Sequence, residues 1–354
     1  MSLDLRGVME QVAALSSPDL HMQVGQPPII RLRTGNLSAL EGAPVMTAED
    51  ILGIIAQITT PDQKAVFEKD FQLDFSYHLE GVSRFRVNAY QEHKGPSLSF
   101  RLIPDKIPTM EEIDMDEVAK SLAMLGSGLI LVTGPTGSGK STVIASMIDY
   151  INKNRSAHII TIEDPIEFVY KSQNCLFSQR ELNVHAHSFA GAIKGALRQD
   201  PDIVMVGEMR DLETISAAIT LAETGHLVLS TLHTVDAAQT VDRIIDVFPA
   251  NQQSQIRAQL SATLKGVISQ TLVPRLDGNG RVAAREIMIV NDAVQNCIVK
   301  AETNQIYSIM QINADQGMRL MDESLEMLVH EGVISVEEAV AHSSDGAALY
   351  AKLT

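Results

Sequence analysis

The fold of this chain is decided by the run Leu129-Ile130-Leu131-Val132-Thr133-Gly134-Pro135-Thr136-Gly137-Ser138-Gly139-Lys140-Ser141-Thr142. Its apolar start predicts a buried strand over Leu129 to Val132, and the residues from Gly134 to Ser141 match the P-loop pattern GxxxxGK[ST]. A helix is predicted to begin near Lys140, so the strand and helix that the pattern requires are both present. The run therefore predicts a phosphate-binding loop within an α/β sheet.

The residue types in this loop suit the binding of ATP with Mg²⁺. Glycines let the backbone wrap a phosphate with its N–H groups inward, because a Cβ would obstruct the approach. The following helix adds positive charge at its N-terminus. Lys140 is expected to bridge the β- and γ-phosphates, and Ser141 to ligate Mg²⁺. The predicted nucleotide-binding residues are Gly134, Pro135, Thr136, Gly137, Ser138, Gly139, Lys140, Ser141 and Thr142.

Three segments are predicted along the chain, and the third contains this loop. Residues 1–103 have mixed helical and alternating patterns, which indicate a small α+β domain. Residues 104–116 hold two prolines and several acids and are predicted to be a linker. Residues 117–354 alternate apolar strands with helical stretches, which indicates a mostly parallel α/β sheet. After about Gln252 this domain is predicted to be mainly helical, with a hairpin at Asp277-Gly278-Asn279-Gly280.

Two predicted strands end in acids that could activate water. Ile203 to Val206 is followed by Gly207 and Glu208, and Ile159 to Ile162 is followed by Glu163. Parallel strands deliver their carboxyl ends to the edge that carries the P-loop. We expect Glu208 to be the general base, and Glu163 to polarise the water, with both reaching Mg²⁺ through solvent. The reverse order of roles stays open.

Two histidines, His226 and His233, bracket the predicted strand Leu227 to Leu232. A neutral imidazole can donate to a phosphate or transmit its loss to a neighbouring subunit. Histidines at strand ends often serve only as hydrogen-bonded caps. Both interpretations stay open, and His233 is the stronger functional candidate.

The composition narrows the class of protein. The chain has 354 residues, with 28 Lys and Arg against 44 Asp and Glu, which gives a net charge of −16. This charge repels a polyphosphate backbone, so no nucleic-acid partner is expected. Two cysteines, Cys175 and Cys297, cannot form a four-thiolate zinc site. The N-terminus lacks the features of a secretion signal, so we expect a cytoplasmic protein without direct membrane insertion.

Several motifs together resemble one family. VTGPTGSGKST, TIEDPIEF, SQRE, GEMRDLET and ETGHLVLSTLHT, in this order, are similar to the secretion-type hexameric ATPases, specifically the retraction motors of type IV pili. In that family they are a Walker A, an Asp box, an atypical Walker B and a His box. The likeness extends to DLHMQVGQPPIIR and SRFRVNAY upstream and to DRIIDVFP and ISQTL downstream, so it covers nearly the whole chain.

This resemblance implies an N-terminal PAS-like domain, a RecA-like ATPase domain and a homohexameric ring. The ring would dock on a platform protein at the inner face of the cytoplasmic membrane. An accessory paralogue of the retraction motor remains an alternative identity and a possible partner. Residues Ala293 to Lys300 read Ala-Val-Gln-Asn-Cys-Ile-Val-Lys where retraction motors usually carry AIRNLIRE, which implies a difference in the coupling of hydrolysis to retraction.

Three arginines of the N-terminal domain are candidates for neutralising transition-state charge. Arg84 and Arg86 lie two apart on the predicted strand Arg84 to Tyr90, and Arg101 lies on the strand Leu98 to Ile103. Such a cluster on one sheet face is often a solvated surface. The resemblance to ring ATPases implies instead that Arg86 and Arg101, and more weakly Arg84, act on the nucleotide of the next subunit.

The main rival function is a RecA-like nucleic-acid translocase, which shares the P-loop and the sheet. The net charge of −16 and the lack of alternating aromatic and basic stretches argue against it. A regulatory ring without hydrolysis is disfavoured by the presence of Glu163 and Glu208. The sequence therefore favours an ATP-hydrolysing motor.

Overall fold

A computed structural model describes residues 3–15, 17–32, 36–103 and 106–354. The chain divides into two compact units, Met1–Lys106 with Pro165–Val169, and Ile107–Asp164 with Tyr170–Thr354. Residues 104 and 105 of the predicted linker lie outside the described residues. Of the rest of that linker, Lys106 groups with the first unit and residues 107–116 group with the second.

In its described residues the first unit is an antiparallel sheet with three helices. The helices are α1 Leu5–Ala14, α2 Ala48–Ile58 and α3 Pro61–Asp70, and the strands are β1 Asp19–Met22, β2 Ile29–Arg31, β3 Leu37–Ala39, β4 Gln72–Leu79, β5 Ser83–Glu92 and β6 Gly95–Ile103. The sheet order is β3-β2-β1-β6-β5-β4. Along β5 the residues Phe85, Val87 and Ala89 are buried, because alternate side chains of a strand point to opposite faces. The predicted α+β character of this region is confirmed.

The helical pattern from Ala48 to Asp70, which suggests one helix, forms two. Thr59 is extended, and Thr60 caps α3 by accepting from the Gln63 N–H. Pro61 occupies the first turn of α3, where its missing N–H costs nothing, whereas in a continuous helix it would remove a hydrogen bond. The break therefore follows from the Thr60-Pro61 pair.

The second unit is built on a seven-stranded sheet. Its strands are β7 Gly128–Thr133, β8 His158–Glu163, β9 Leu176–Glu181, β10 Ile203–Val206, β11 Leu227–Leu232, β12 Leu264–Pro274 and β13 Arg281–Ile289. The order is β13-β12-β7-β11-β10-β8-β9, and all neighbours are parallel except β12 and β13. Every residue of β7 and β11 is buried. The predicted α/β fold with a mostly parallel sheet is confirmed.

Helices accompany this sheet throughout the second unit. They are α4 Glu117–Ala123, α5 Lys140–Asn154, α6 Phe189–Ala196, α7 Leu212–Glu223, α8 Ala237–Asp246, α9 Ala250–Thr263, α10 Asp292–Lys300, α11 Ile306–Ile312, α12 Met321–His330, α13 Val336–His342 and α14 Gly346–Leu353, with short 3₁₀ turns at Thr303–Gln305 and Ala314–Gln316. Residues 293–300, which differ from the AIRNLIRE segment of retraction motors, lie in α10, which buries Val294, Cys297 and Ile298. Among the residues that the structure describes, no helix has the length and apolar character to cross a bilayer.

The region after Gln252 differs from the mainly helical prediction, because β12 and β13 add two long strands to the sheet. Apolar runs of this kind fit a buried strand or a buried helix equally well by pattern alone. The predicted hairpin is confirmed, since the Arg275 N–H donates to the Gly280 carbonyl at 3.1 Å. The strand β12 lies beside β7, and this places it next to the P-loop.

Candidate active site

The phosphate-binding loop connects the carboxyl end of β7 to the start of α5. Gly134 and Gly139 have φ values of +141° and +88°, which L side chains rarely adopt. A Cβ on Gly134 would lie 2.2 Å from the main-chain oxygen of Gln270, and one on Gly139 would lie 2.8 Å from the Gln270 side chain. Glycine is therefore required at both positions by the approach of β12.

The tip of the loop is exposed, and the residues that form its floor are buried. Pro135, Thr136 and Gly137 are exposed, whereas Gly134 and Ser138 are buried. The Ser138 hydroxyl is buried and finds no hydrogen-bond partner within the described part of the chain. An orphan hydroxyl beside a cradle of glycines fits a site for a phosphate.

Lys140 lies at the first position of α5 with only 8% of its surface exposed. Its Nζ donates to the Gly134 carbonyl at 2.8 Å and to the Pro135 carbonyl at 3.0 Å. The same atom lies 3.4 Å from His233 Nδ1. The structure thus brings the predicted phosphate lysine and the second predicted histidine together.

His233 connects Lys140 to Glu208. An ammonium can only donate, so His233 Nδ1 accepts, and the neutral ring then carries its proton on Nε2. This Nε2 lies 2.9 Å from Glu208 Oε1. Glu208 follows β10 by two residues, and its other oxygen lies 2.7 Å from Arg210 Nη2. The result is a continuous chain of polar contacts from the P-loop to Arg210.

Glu208 is an anion at neutral pH in this setting. Burial raises the pKa of its carboxyl, but the hydrogen bond from Arg210 and the nearby positive charges outweigh burial, so the pKa lies below its usual value. Only 17% of the Glu208 side chain is exposed, against 75% for Arg210. Arg210 can therefore move into solvent, which would release one oxygen of Glu208.

Glu163 is the last residue of β8 and is 4% exposed. Its Oε1 accepts from Thr161 Oγ1 at 2.7 Å and from Gln179 Nε2 at 3.4 Å. These contacts hold the carboxylate in place. Such a fixed acceptor suits the positioning of a water molecule or hydrated metal.

Gly207 brings the two acidic strand ends close together. Its N–H donates to the Ile162 carbonyl at 2.8 Å. A Cβ on Gly207 would lie 3.3 Å from that oxygen and 3.4 Å from the Cα of Glu163. The tight approach leaves little room for the aspartate that many NTPases carry here, and it places Glu163 and Glu208 at the same edge of the sheet.

His226 lies away from this cluster. It precedes β11, and its carbonyl accepts from the Gly128 N–H at 3.0 Å, at the edge where β7 begins. The six residues of β11 separate it from His233, which is about 20 Å at roughly 3.3 Å per residue. Its Nδ1 lies 3.1 Å from the Leu221 carbonyl, near the end of α7. Within its own chain His226 is therefore remote from the P-loop, and its predicted functional role stays a prediction.

The metal that ATP requires would meet Ser141, which stands next to Thr142 in the first turn of α5. Both are partly exposed beside the buried Lys140. A serine hydroxyl at this place, next to a positively charged helix N-terminus, is chemically suited to a Mg²⁺ ion that arrives with a nucleotide. The residues present thus fit the predicted group.

Comparison with known proteins shows the family to which this chain belongs. The model of the type II/IV secretion system proteins matches residues 69–279. The chain belongs to this family. It is 47% identical to the type IV pilus retraction ATPase PilT of Pseudomonas aeruginosa, over 95% of this chain and 97% of the relative. It is 38% identical to the type IV pilus ATPase PilU of the same organism, over 92% of this chain and 85% of the relative.

A solved structure supports the same assignment. The crystal structure of the pilus retraction motor PilT with bound ADP matches with a TM-score of 0.90 and 43% identity, over 97% of this chain and 98% of that chain. The resemblance inferred from the motifs is therefore confirmed, and so is the combination of an N-terminal domain with an ATPase domain.

The three candidate arginines of this family member lie on one face of the first unit's sheet. Arg86 on β5 is directly opposite Arg101 on β6, and Arg84 is two residues from Arg86. Arg101 Nε lies 2.9 Å from Asp19 Oδ1, so one guanidinium of the cluster is held by a carboxylate. The predicted common face is present, while the action of these arginines on a nucleotide stays a prediction.

Two residues that the sequence does not single out contact the predicted site residues, and a third contacts one of these two. Arg210 pairs with Glu208, Gln270 contacts the P-loop, and Arg285 contacts Gln270. Arg210 stands within GEMRDLET, so the motif could have drawn attention to it. For the other two the available signal is a polar residue inside an apolar strand pattern.

Proposed function

We propose that this chain is an ATP-hydrolysing motor that powers the retraction of type IV pili. The observation that carries the proposal is the contact chain from Lys140 through His233 to Glu208, in a chain that is 47% identical to a retraction ATPase. It links the group that binds the phosphates to the group that would activate water.

Binding of ATP falls to the P-loop. The glycines and the N–H groups from Gly134 to Thr142 enclose the phosphates, and Lys140 exchanges its carbonyl partners for β and γ oxygens. Ser141 would hold a bound Mg²⁺ directly, and Glu163 and Glu208 would hold it through water; the ion would supply positive charge to the phosphate oxygens.

Hydrolysis requires a base aligned with the γ-phosphate. Glu208 takes the proton of the attacking water, because its carboxylate is ionised and partly accessible. Glu163 orients that water, since its own carboxylate is fixed by Thr161. His233 contacts both Lys140 and Glu208, so a change at the phosphates reaches the base through one side chain. His226, remote from the loop in its own chain, would act only on a neighbouring subunit.

The negative charge of the transition state requires more positive charge than Lys140 supplies. We assign Arg86 and Arg101, with Arg84 as a weaker third, to the nucleotide of the neighbouring subunit in a homohexamer. Asp19 holds Arg101 in place, which would reduce the freedom of the side chain before it meets a phosphate.

The working context is a ring at the inner face of the cytoplasmic membrane. The ring would be cytoplasmic and attached through a pilus platform protein, with an accessory paralogue as a possible second ATPase. An accessory role for this chain itself is the second candidate, and the identities of 47% to PilT and 38% to PilU favour the main motor. A nucleic-acid partner is disfavoured by the net charge of −16.

Purified protein tests the chemistry. Wild type should hydrolyse ATP at a rate that added DNA does not change, and Lys140→Ala should lose both hydrolysis and most nucleotide binding. Glu208→Gln should bind ATP normally and fail to turn it over, because the amide cannot take a proton. A Glu163→Gln variant far more damaging than Glu208→Gln would reverse the two roles, and strong stimulation by DNA would favour the translocase.

A further inference from the structure

The strand β12 contacts the P-loop through Gln270. Its main-chain oxygen fills the space in which a Cβ of Gly134 would lie. Its side-chain Nε2 donates to the Ser138 carbonyl in the floor of the loop. Gln270 is 3% exposed, so this contact is shielded from water.

The contact fixes the direction of one peptide group. In a planar trans peptide the C=O and the following N–H point in opposite directions. When Gln270 holds the Ser138 carbonyl toward β12, the N–H of Gly139 must point away from β12. Phosphate-binding loops of this type act through such N–H groups, so the direction of the Gly139 N–H affects affinity.

The amide of Gln270 is in turn oriented by Arg285 on β13. Gln270 Oε1 accepts from Arg285 Nε at 2.6 Å. If the amide were turned over, its NH₂ would face the guanidinium and its oxygen would face the Ser138 carbonyl, two repulsive contacts. Arg285 therefore allows only the orientation in which Gln270 donates to the loop.

Arg285 is itself anchored at its other nitrogens. Its Nη1 donates to the Asp114 carbonyl at 2.7 Å and its Nη2 to the Ile113 carbonyl at 2.6 Å. It is 4% exposed, and within the described chain its side-chain partners are these two carbonyls and Gln270. Its hydrogen bonds all go to uncharged oxygens, and the negative charges of Asp116 and Asp114 act on it without accepting one, so keeping this guanidinium buried is costly.

We propose that Gln270 and Arg285 are positioning residues of the phosphate site, which set the orientation of the Ser138–Gly139 peptide for binding of a nucleoside diphosphate or triphosphate. The inference rests on the proposed ATPase function and adds to it two residues from the strand pair β12 and β13. They act through the loop and do not themselves touch the nucleotide.

The test measures ADP affinity by calorimetry and the KM and kcat for ATP of the full-length protein. Gln270→Met removes both hydrogen bonds at nearly constant length and adds no charge. It should weaken ADP binding and raise the KM for ATP by about tenfold or more, with a smaller change in kcat. Arg285→Lys, which cannot reach three oxygens at once, should weaken binding in the same direction. Gln255→Met, the same change at an exposed position of α9, is the matched control and should leave both constants unchanged.

The outcomes separate this inference from the function on which it rests. Wild-type protein that binds no ADP would refute the phosphate site itself. If Lys140→Ala weakens ADP binding while Gln270→Met and Arg285→Lys bind as wild type does, the positioning role is wrong and the ATPase proposal stands. A fall in melting temperature with unchanged ADP affinity and KM would likewise overturn it. If Gln270→Met fails to fold, Arg285→Lys decides by the same criterion.

Discussion

The carboxylate of Glu208 is held between an imidazole and a guanidinium, and this determines how its proton affinity can be changed. His233 and Arg210 each contact one of its oxygens. Arg210 is mostly exposed, so its removal changes the charge at the site without creating a cavity. Substitution of Arg210 is thus the simplest way to change the pKa of Glu208, the proposed base.

Arg210→Ala should move the acid limb of the pH–rate profile to higher pH. Glu208 works as a base in its ionised form, so kcat/KM falls when the pH drops through its pKa. Burial raises that pKa and Arg210 lowers it, and without the guanidinium the pKa rises. Steady-state rates from about pH 3.5 to 8 measure the shift, because the wild-type pKa lies below 4.5, and Arg210→Lys is the variant that keeps the charge. An unchanged limb in Arg210→Ala would mean that Glu208 is not the titrating base.

At the residue scale the sequence predicts what a local pattern dictates. The P-loop and the strand-end acids are readable because glycine geometry and strand order constrain them within short windows. Gln270 reaches Ser138 in the loop from 132 positions away along the chain, and Arg285 acts on the loop only through Gln270. No local pattern encodes such a contact, so these residues emerge only from the folded sheet.

Two helix starts in the second unit share one buried carboxylate. Glu286 on β13 accepts from the Ala237 N–H of α8 at 2.7 Å and from the Met321 N–H of α12 at 3.4 Å. Burial, with Asp236 and Asp322 nearby, raises the pKa of Glu286 to about 7, although the two N–H groups oppose the rise. The folded chain therefore binds a proton there that the unfolded chain releases near pH 4.5.

Glu286→Gln should make the free energy of unfolding decrease less as the pH rises. Because the folded pKa is the higher one, the contribution of Glu286 is complete below about pH 4.5 and is lost as the pH rises through about 7. The loss amounts to roughly 3.5 kcal/mol at most, taking about 1.4 kcal/mol for each pH unit. Melting temperatures of both proteins from pH 5 to pH 8 should show wild type losing more than the variant. Parallel curves would refute a raised pKa at Glu286.

At the element scale the errors have a physical pattern. The strand pair β12 and β13 was mistaken for helix because a short apolar run suits either structure, and its pairing partner β7 lies more than a hundred residues earlier. The division of Ala48 to Asp70 into α2 and α3 was readable from Thr60 and Pro61. Capping residues and proline act locally, whereas sheet membership depends on distant strands.

For the whole molecule, the proposal requires that two subunits complete one site. Arg86→Ala and Arg101→Ala should each bind ATP nearly as wild type does and lose most hydrolysis, since an arginine of this kind contributes about 10³ to 10⁵ in rate. Mixed rings of Arg86→Ala and Lys140→Ala subunits should regain turnover, because an intact P-loop then meets an intact arginine across an interface. Activity no greater than the sum of the separate variants, in rings shown to be mixed, would refute this arrangement.

The most direct test of the account replaces the chain in its own cell by Glu208→Gln and follows single labelled pili by fluorescence microscopy. The variant protein must be present at the wild-type level and must bind ATP. The account predicts that pili still extend but do not retract, so that surface pili accumulate and twitching motility is lost. Retraction events at the wild-type frequency in this strain would contradict the claim that hydrolysis at this site powers pilus retraction.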